Sequence, residues 1–105
     1  MSESRLLYEI MHEIGKYAAV YRTNAGRFYT KSGQSVSGLP KGFADILAVL
    51  PGGKVAFIEV KSGKGTPSPE QIQFINKMQS LGALAGIARS VPEALAICKI
   101  QASGR

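Results

Sequence analysis

The chain has 105 residues, 45% hydrophobic and 19% charged, which predicts one soluble globular domain over residues 1–105 with a single core. Its one cysteine, Cys98, excludes an intrachain disulfide and a four-cysteine zinc site, and no apolar run is long enough to span a bilayer. The net charge of +6 is unevenly spread: between Ile14 and Ala44 lie five basic residues (Lys16, Arg22, Arg27, Lys31, Lys41) and no acid, a bias that favours a polyanionic partner, nucleic acid above all.

Leu6, Leu7, Ile10, Met11 and Ile14 recur at helical spacing and predict an amphipathic helix from about residue 3 to 16, closed at Gly15. Glu3 shares the stripe of Leu7, Ile10 and Ile14; Glu9 and Glu13 fall off it, and His12 reads as a surface residue. Ala18 to Thr23 reads as a strand. Asn24 to Gly42 holds four glycines among Ser, Thr and Asn, and predicts a long loop or loose hairpin, of a length usually functional or mobile in a compact domain. Phe43–Leu50 and Val55–Lys61 read as strands separated by the turn Pro51-Gly52-Gly53, nearly continuous apolar runs that suit a sheet covered on both faces. After the connection Ser62–Pro67, Ser68-Pro69-Glu70-Gln71 opens a helix, with serine as N-cap, proline in the first turn and Gln71 at the capping-box position. Ile72, Ile75, Met78, Gln79 and Leu81 carry that helix to Gly82; Leu84–Ala88 is a short strand, and Pro92 opens a last helix through about Ile100. The order is α-β-β-β-α-β-α. Tyr8, Tyr17, Tyr21 and Phe74 read as core, Cys98 as a buried, inert thiol, and the Ala-, Ile- and Leu-rich stretch Leu84–Ile100 as core or as a surface for a second copy.

One constellation carries chemistry. Glu59 and Lys61 lie two residues apart on a strand and share a face, with Val60 on the other. If the two central strands pair as a hairpin, Asp45 joins that face. Two carboxylates and an ammonium at the edge of a buried sheet cost stability unless they are paired or bind metal, and the apolar flank Val55-Ala56-Phe57-Ile58 argues against a plain exposed ion pair. Asp45 and Glu59 offer hard oxygen ligands suited to Mg²⁺ or Mn²⁺. Such an ion polarises a phosphoryl oxygen and lowers the pKa of bound water, and Lys61 is placed to orient that water or neutralise transition-state charge. Arg22, Asn24, Arg27, Lys31, Lys41 and Lys64 are candidates for phosphate contacts, which position a substrate without reading bases. Nothing resembles a recognition helix or a zinc finger, so specificity for shape is expected, and the whole points to phosphodiester hydrolysis.

Asp45 with Glu59-Val60-Lys61 resembles the PD-(D/E)XK nuclease signature, with Ala44 standing where the motif's name has proline. Almost the whole chain further resembles the virus-type replication-repair nuclease (VRR-NUC) domains. Glu3 opens the first helix ahead of Leu6, Ile10 and Ile14; Arg22-Thr23-Asn24-Ala25-Gly26 resembles the family's R-x-N-x-G segment and Lys41-Gly42-Phe43-Ala44-Asp45 its K-G-x-x-D. Ile58-Glu59-Val60-Lys61 is followed by Ser68-Pro69-Glu70-Gln71, where the family has a helix-initial glutamine, and Ala88-Arg89-Ser90-Val91 resembles its closing strand. The resemblance implies an α/β, restriction-endonuclease-like αβββαβ core, a mixed central sheet flanked by helices, here with an extra C-terminal helix. It implies Asp45, Glu59 and the Val60 carbonyl as metal ligands, Lys61 as the catalytic lysine, Gln71 as a supporting catalytic residue and Glu3 as an outer acid at the metal. Gln71 serves equally as a capping residue, and Glu3 as a favourable charge at a helix N-terminus. The activity implied is that of a Mg²⁺- or Mn²⁺-dependent, structure-specific endodeoxyribonuclease. Small free-standing members resolve four-way (Holliday) junctions as homodimers, so branched DNA and a second copy are the expected partners, with no membrane and no small-molecule cofactor. The alternatives are a monomeric flap- or nick-type nuclease and a non-catalytic nucleic-acid-binding module; the complete Asp45, Glu59 and Lys61 set argues against the latter. The cytoplasm of a bacterium or phage-infected cell is the expected location.

Overall fold

The computed structural model describes residues 1–25 and 27–101, the side chains of Arg27 and Phe28 excepted. Helix α1 (Glu3–Ile14) starts at Ser2, whose hydroxyl accepts from the Arg5 backbone N–H at 3.1 Å, and it buries the stripe Leu6, Leu7, Ile10 and Ile14. Strand β1 (Ala19–Arg22) follows, then a small separate hairpin of β2 (Arg27–Tyr29) and β3 (Ser35–Ser37), then β4 (Ile46–Val49) and β5 (Val55–Val60). Leu50 N–H to Lys54 O, at 2.7 Å, closes the turn between β4 and β5, where Gly52 and Gly53 take φ of 85° and 82°. Helix α2 (Pro69–Ser80) carries the chain over the sheet to β6 (Leu84–Ala88), and α3 (Val91–Ile97) closes the fold.

The main sheet has the order β1-β4-β5-β6. Its first two pairings are antiparallel, and β5–β6 is parallel, as a helical crossover requires. Helices α1 and α3 cover one face. Their Leu6, Leu7, Ile10, Ile14, Ala94 and Leu95, with Cys98 just past α3, form one core with Ile46, Ala48, Ile58, Val60 and Ala88 of the sheet. Helix α2 packs on the opposite face against β5 and β6, with Phe43, Phe57 and Phe74 clustered, two pairs edge-to-face and one tilted, at centroid distances of 4.4 to 5.7 Å. This is the mixed, helix-flanked sheet with an extra C-terminal helix that the sequence leads one to expect.

Several local expectations change. The Asn24–Gly42 segment contains a closed two-stranded hairpin rather than a loose one. Helix α3 stops at Ile97 because Lys99 takes φ of 58° and Ile100 N–H bonds back to Leu95 O at 2.9 Å. Tyr8, Tyr17 and Tyr21 are exposed rather than core: Tyr8 falls off the buried stripe of α1, and Tyr21 sits on an edge strand. The Leu84–Ile100 stretch goes into the core through Ala88, Ala94, Leu95 and Cys98, and burial pushes the Cys98 thiol up to about 11. No helix among the described residues is long and apolar enough to cross a membrane.

Candidate active site

The antiparallel register of β4 and β5 pairs Ile46 with Ile58, so one step further it sets Asp45 opposite Glu59. Directly opposed residues share a face, and here it is the face of α2. Asp45 is fixed from both sides. Its Oδ2 accepts from Val60 N–H at 2.9 Å, its carbonyl accepts from Thr23 N–H at 3.0 Å, and the Thr23 hydroxyl donates to the Ala44 carbonyl.

Glu59 is 1% exposed, a charged residue inside a sheet. Its Oε2 accepts from Gln71 Nε2 at 2.8 Å and lies 3.4 Å from Lys61 Nζ. Its Oε1 is buried and has no hydrogen-bond partner. Burial, and next the charge of Asp45, push the Glu59 carboxyl up to about 7, against the opposing pull of Lys61. Buried acceptors are almost always satisfied, so an unpartnered carboxylate oxygen facing a second carboxylate calls for a proton or a cation. A Mg²⁺-type ion fits this donor set, since it takes one or two carboxylates and completes its shell with waters and substrate phosphate. Among the described residues no three His, Cys, Asp or Glu side chains are grouped to hold a metal. Glu3 therefore does not join Asp45 and Glu59: it is exposed in the first turn of α1, where it complements the helix dipole.

Gln71 holds two places at once. Its Oε1 accepts from Ser68 N–H at 2.9 Å while Ser68 Oγ accepts from Gln71 N–H at 3.2 Å, a complete capping box, and its Nε2 reaches Glu59. One amide thus ties the start of α2 to the buried carboxylate. Gly42 sets how close that helix comes. It takes φ of 93°, and a Cβ there would lie 2.7 Å from the Glu70 carbonyl oxygen. Gly52 has a similar φ of 85° but nothing within 4 Å. Gly42→Ala is therefore expected to cost more stability than Gly52→Ala, by about 1–3 kcal/mol, and to lower any activity that depends on Gln71. Thermal melts of the two variants check this, and equal losses would dismiss the close approach as the reason for glycine.

Arg22, Asn24, Ala25, Lys41, Gly42, Phe43, Asp45 and Gln71 line a cleft of about 410 Å³. The fold thus brings Lys41, distant in sequence, beside Arg22 and Asn24 in the cleft that Asp45 lines; Glu59, buried behind it, and Lys61 do not line it. Lys31 and Lys64 are exposed outside this cleft, while Gly26 and the Arg27 side chain lie outside the described residues. Arg22 is held by Tyr8, donating to its hydroxyl at 2.9 Å with the guanidinium 5.7 Å from the ring centroid. Sequence reasoning passed over Thr23 and read Tyr8 as core, whereas it is exposed and holds Arg22. The signal for Thr23 was its place one step past Arg22, opposite Asp45; that for Tyr8 was its position off the apolar stripe.

The VRR-NUC domain family model matches residues 10–92 of the chain. A solved structure described as a VRR_NUC domain has the same fold, with a TM-score of 0.65 at 21% identity over 92% of this chain and 94% of that one. No curated protein matches the chain.

Proposed function

Because the chain belongs to the VRR-NUC family, and is a nuclease domain of the PD-(D/E)XK type with DNA as its substrate, we propose that residues 1–105 form one divalent-metal-dependent, structure-specific endonuclease that resolves four-way junctions as a homodimer. The observation that carries this reading is the buried Glu59, its Oε1 unpartnered, beside Lys61 and opposite Asp45, which itself lines a cleft with Arg22 and Lys41.

In this reading Asp45, Glu59 and the Val60 carbonyl would hold Mg²⁺ or Mn²⁺, which when bound would polarise a phosphoryl oxygen and acidify a water. Arg22, Asn24 and Lys41 seat the phosphodiester in the cleft, and Lys31, Lys64 and Arg27 extend the contact along the backbone. Lys61 orients the attacking water and offsets the negative charge that grows on the phosphoryl oxygens. Gln71 fixes the Glu59 carboxylate by donating to its Oε2. Such contacts read shape rather than sequence, which suits a branched substrate in recombination or repair.

One chain holds one such site, whereas resolution needs two symmetric cuts, and a two-fold dimer supplies both. With Mg²⁺ or Mn²⁺ the protein is expected to cut a labelled four-way junction in two strands and to leave linear duplex intact. Mixing it with excess Asp45→Ala protein should give nicked, unresolved junctions from mixed dimers. Sedimentation showing only monomer at working concentration, with resolution intact, would refute the dimer, and cleavage of flaps in place of junctions would favour a monomeric flap nuclease.

A further inference from the structure

We propose that the β2–β3 hairpin is a DNA-gripping arm, which lies along the duplex entering the cleft and holds its backbone through Tyr29 and Lys31. The inference rests on the nuclease reading of the adjacent cleft and adds to it a second contact surface. The chain leaves the cleft wall at Asn24 and Ala25, runs out along β2, and returns from β3 to the wall again at Lys41 and Gly42. The hairpin therefore connects two segments of the cleft lining, a position from which it can reach DNA bound in the cleft.

It is a built element rather than slack chain. Phe28 pairs with Val36 and Tyr29 with Ser35. The turn is closed by Thr30 N–H to Gln34 O at 2.8 Å, Gly33 N–H to Thr30 O at 2.9 Å, and Gln34 N–H to Thr30 Oγ1 at 3.1 Å, with Gly33 at φ of 91°. Yet it supplies no described residue to the core, and the main contacts of its strands are with each other. A lone two-stranded hairpin is marginal in water, so the fold gains little stability from carrying this one.

Its surface chemistry selects the occupant. Tyr29 is 71% exposed and Val36 48%, Lys31 stands at the tip, and the remaining side chains between Thr30 and Ser37 are hydroxyls and one amide, with no acid anywhere from Ile14 to Ala44. Hydroxyl, amide and ammonium donors match phosphate and sugar oxygens, and an exposed tyrosine offers a face to a sugar or an unstacked base. A two-stranded ribbon also has the width of the major groove. Among its described residues the arm exposes Tyr29 and Val36 amid hydroxyls and an amide, a surface that suits the polar backbone of DNA better than an apolar partner.

The test uses the full chain and a labelled four-way junction. Fluorescence anisotropy with EDTA present is compared for wild type, the Tyr29→Ala, Lys31→Ala double variant, and a chain in which residues 27–37 are replaced by a short Gly-Ser turn. Both altered proteins are expected to melt like wild type and to bind roughly tenfold more weakly or worse. The slope of log affinity against log salt should fall by about one for the lost lysine contact. Unchanged binding in both altered proteins overturns the proposal, and so does loss of the fold when the hairpin is removed, since that would make it a structural element. Failure of the nuclease reading is seen separately, as a wild-type protein that binds the junction and cuts no DNA with Mg²⁺ or Mn²⁺.

Discussion

Asp45→Ala and Glu59→Ala are each expected to lower DNA cleavage by ~10³-fold or more while leaving DNA affinity near that of wild type. In the proposed site either change would take a hard ligand from the cation, and it leaves Arg22 and Lys41 in the cleft. Affinity should rise slightly if it moves, because a negative charge beside phosphate is lost. Full activity of either variant with Mg²⁺ would dismiss the assigned site. The same carboxylates should weaken the metal-free fold. The Glu59 carboxyl, ordinarily at 4.5, is pushed up to about 7, first by burial and then by Asp45. The folded chain therefore binds this proton more tightly than the unfolded chain does. The contribution of Glu59 to stability is fully present below 4.5, falls as pH rises through the window up to about 7, and is flat above it. Glu59→Gln keeps an acceptor for Gln71 and removes the titration. It should be inactive, flatten that pH dependence, and raise stability above neutral pH by about 1 kcal/mol. Adding Mg²⁺ should then raise the melting temperature of wild type and not of Glu59→Gln. Melts at about pH 5 and about pH 8, with and without the ion, check each part.

The elements that formed as read are those whose signal is local. The stripe of α1, the Ser68 capping box, the Pro51-Gly52-Gly53 turn and the alternation that puts Glu59 and Lys61 on one face all depend on residues within a turn or two of each other. Asp45 was legible for the same reason, because one turn sets the β4–β5 register. The rest needed distances that no local pattern contains. That Gln71 both caps α2 and donates to Glu59 depends on how near the helix lies to β5, which Gly42 governs from a third segment. Glu3 followed the apolar stripe in sequence, but it stands in the first turn and stays exposed. The basic run was legible as charge and not as arrangement. Lys41 returns to the cleft wall and Lys31 goes to a hairpin tip, because β2 and β3 are three-residue strands too short to show any period.

Lys61→Ala is expected to slow the chemical step by ~10²-fold or more at unchanged DNA affinity, the signature of a group that acts on the transition state rather than on binding. Its side chain is only 15% exposed and its Nζ lies 3.4 Å from Glu59 Oε2. The ammonium is thus held inside the site, where its charge is poorly screened and needs no reorganisation as charge builds on the phosphoryl oxygens. Lys64, three residues on and exposed, provides the contrast. Lys64→Ala should weaken binding, reduce its salt slope by about one, and leave the saturated single-turnover rate unchanged. Lys61 is also one of the groups that hold the Glu59 carboxyl down, so its loss should move the rising limb of the pH–rate profile to higher pH, because Glu59 must ionise to serve as a ligand. A rate defect with an unmoved pH limb would restrict Lys61 to the charge on the substrate. A Lys61→Ala protein that binds weakly but turns over normally at saturation would remove it from the chemistry and leave it as one more phosphate contact.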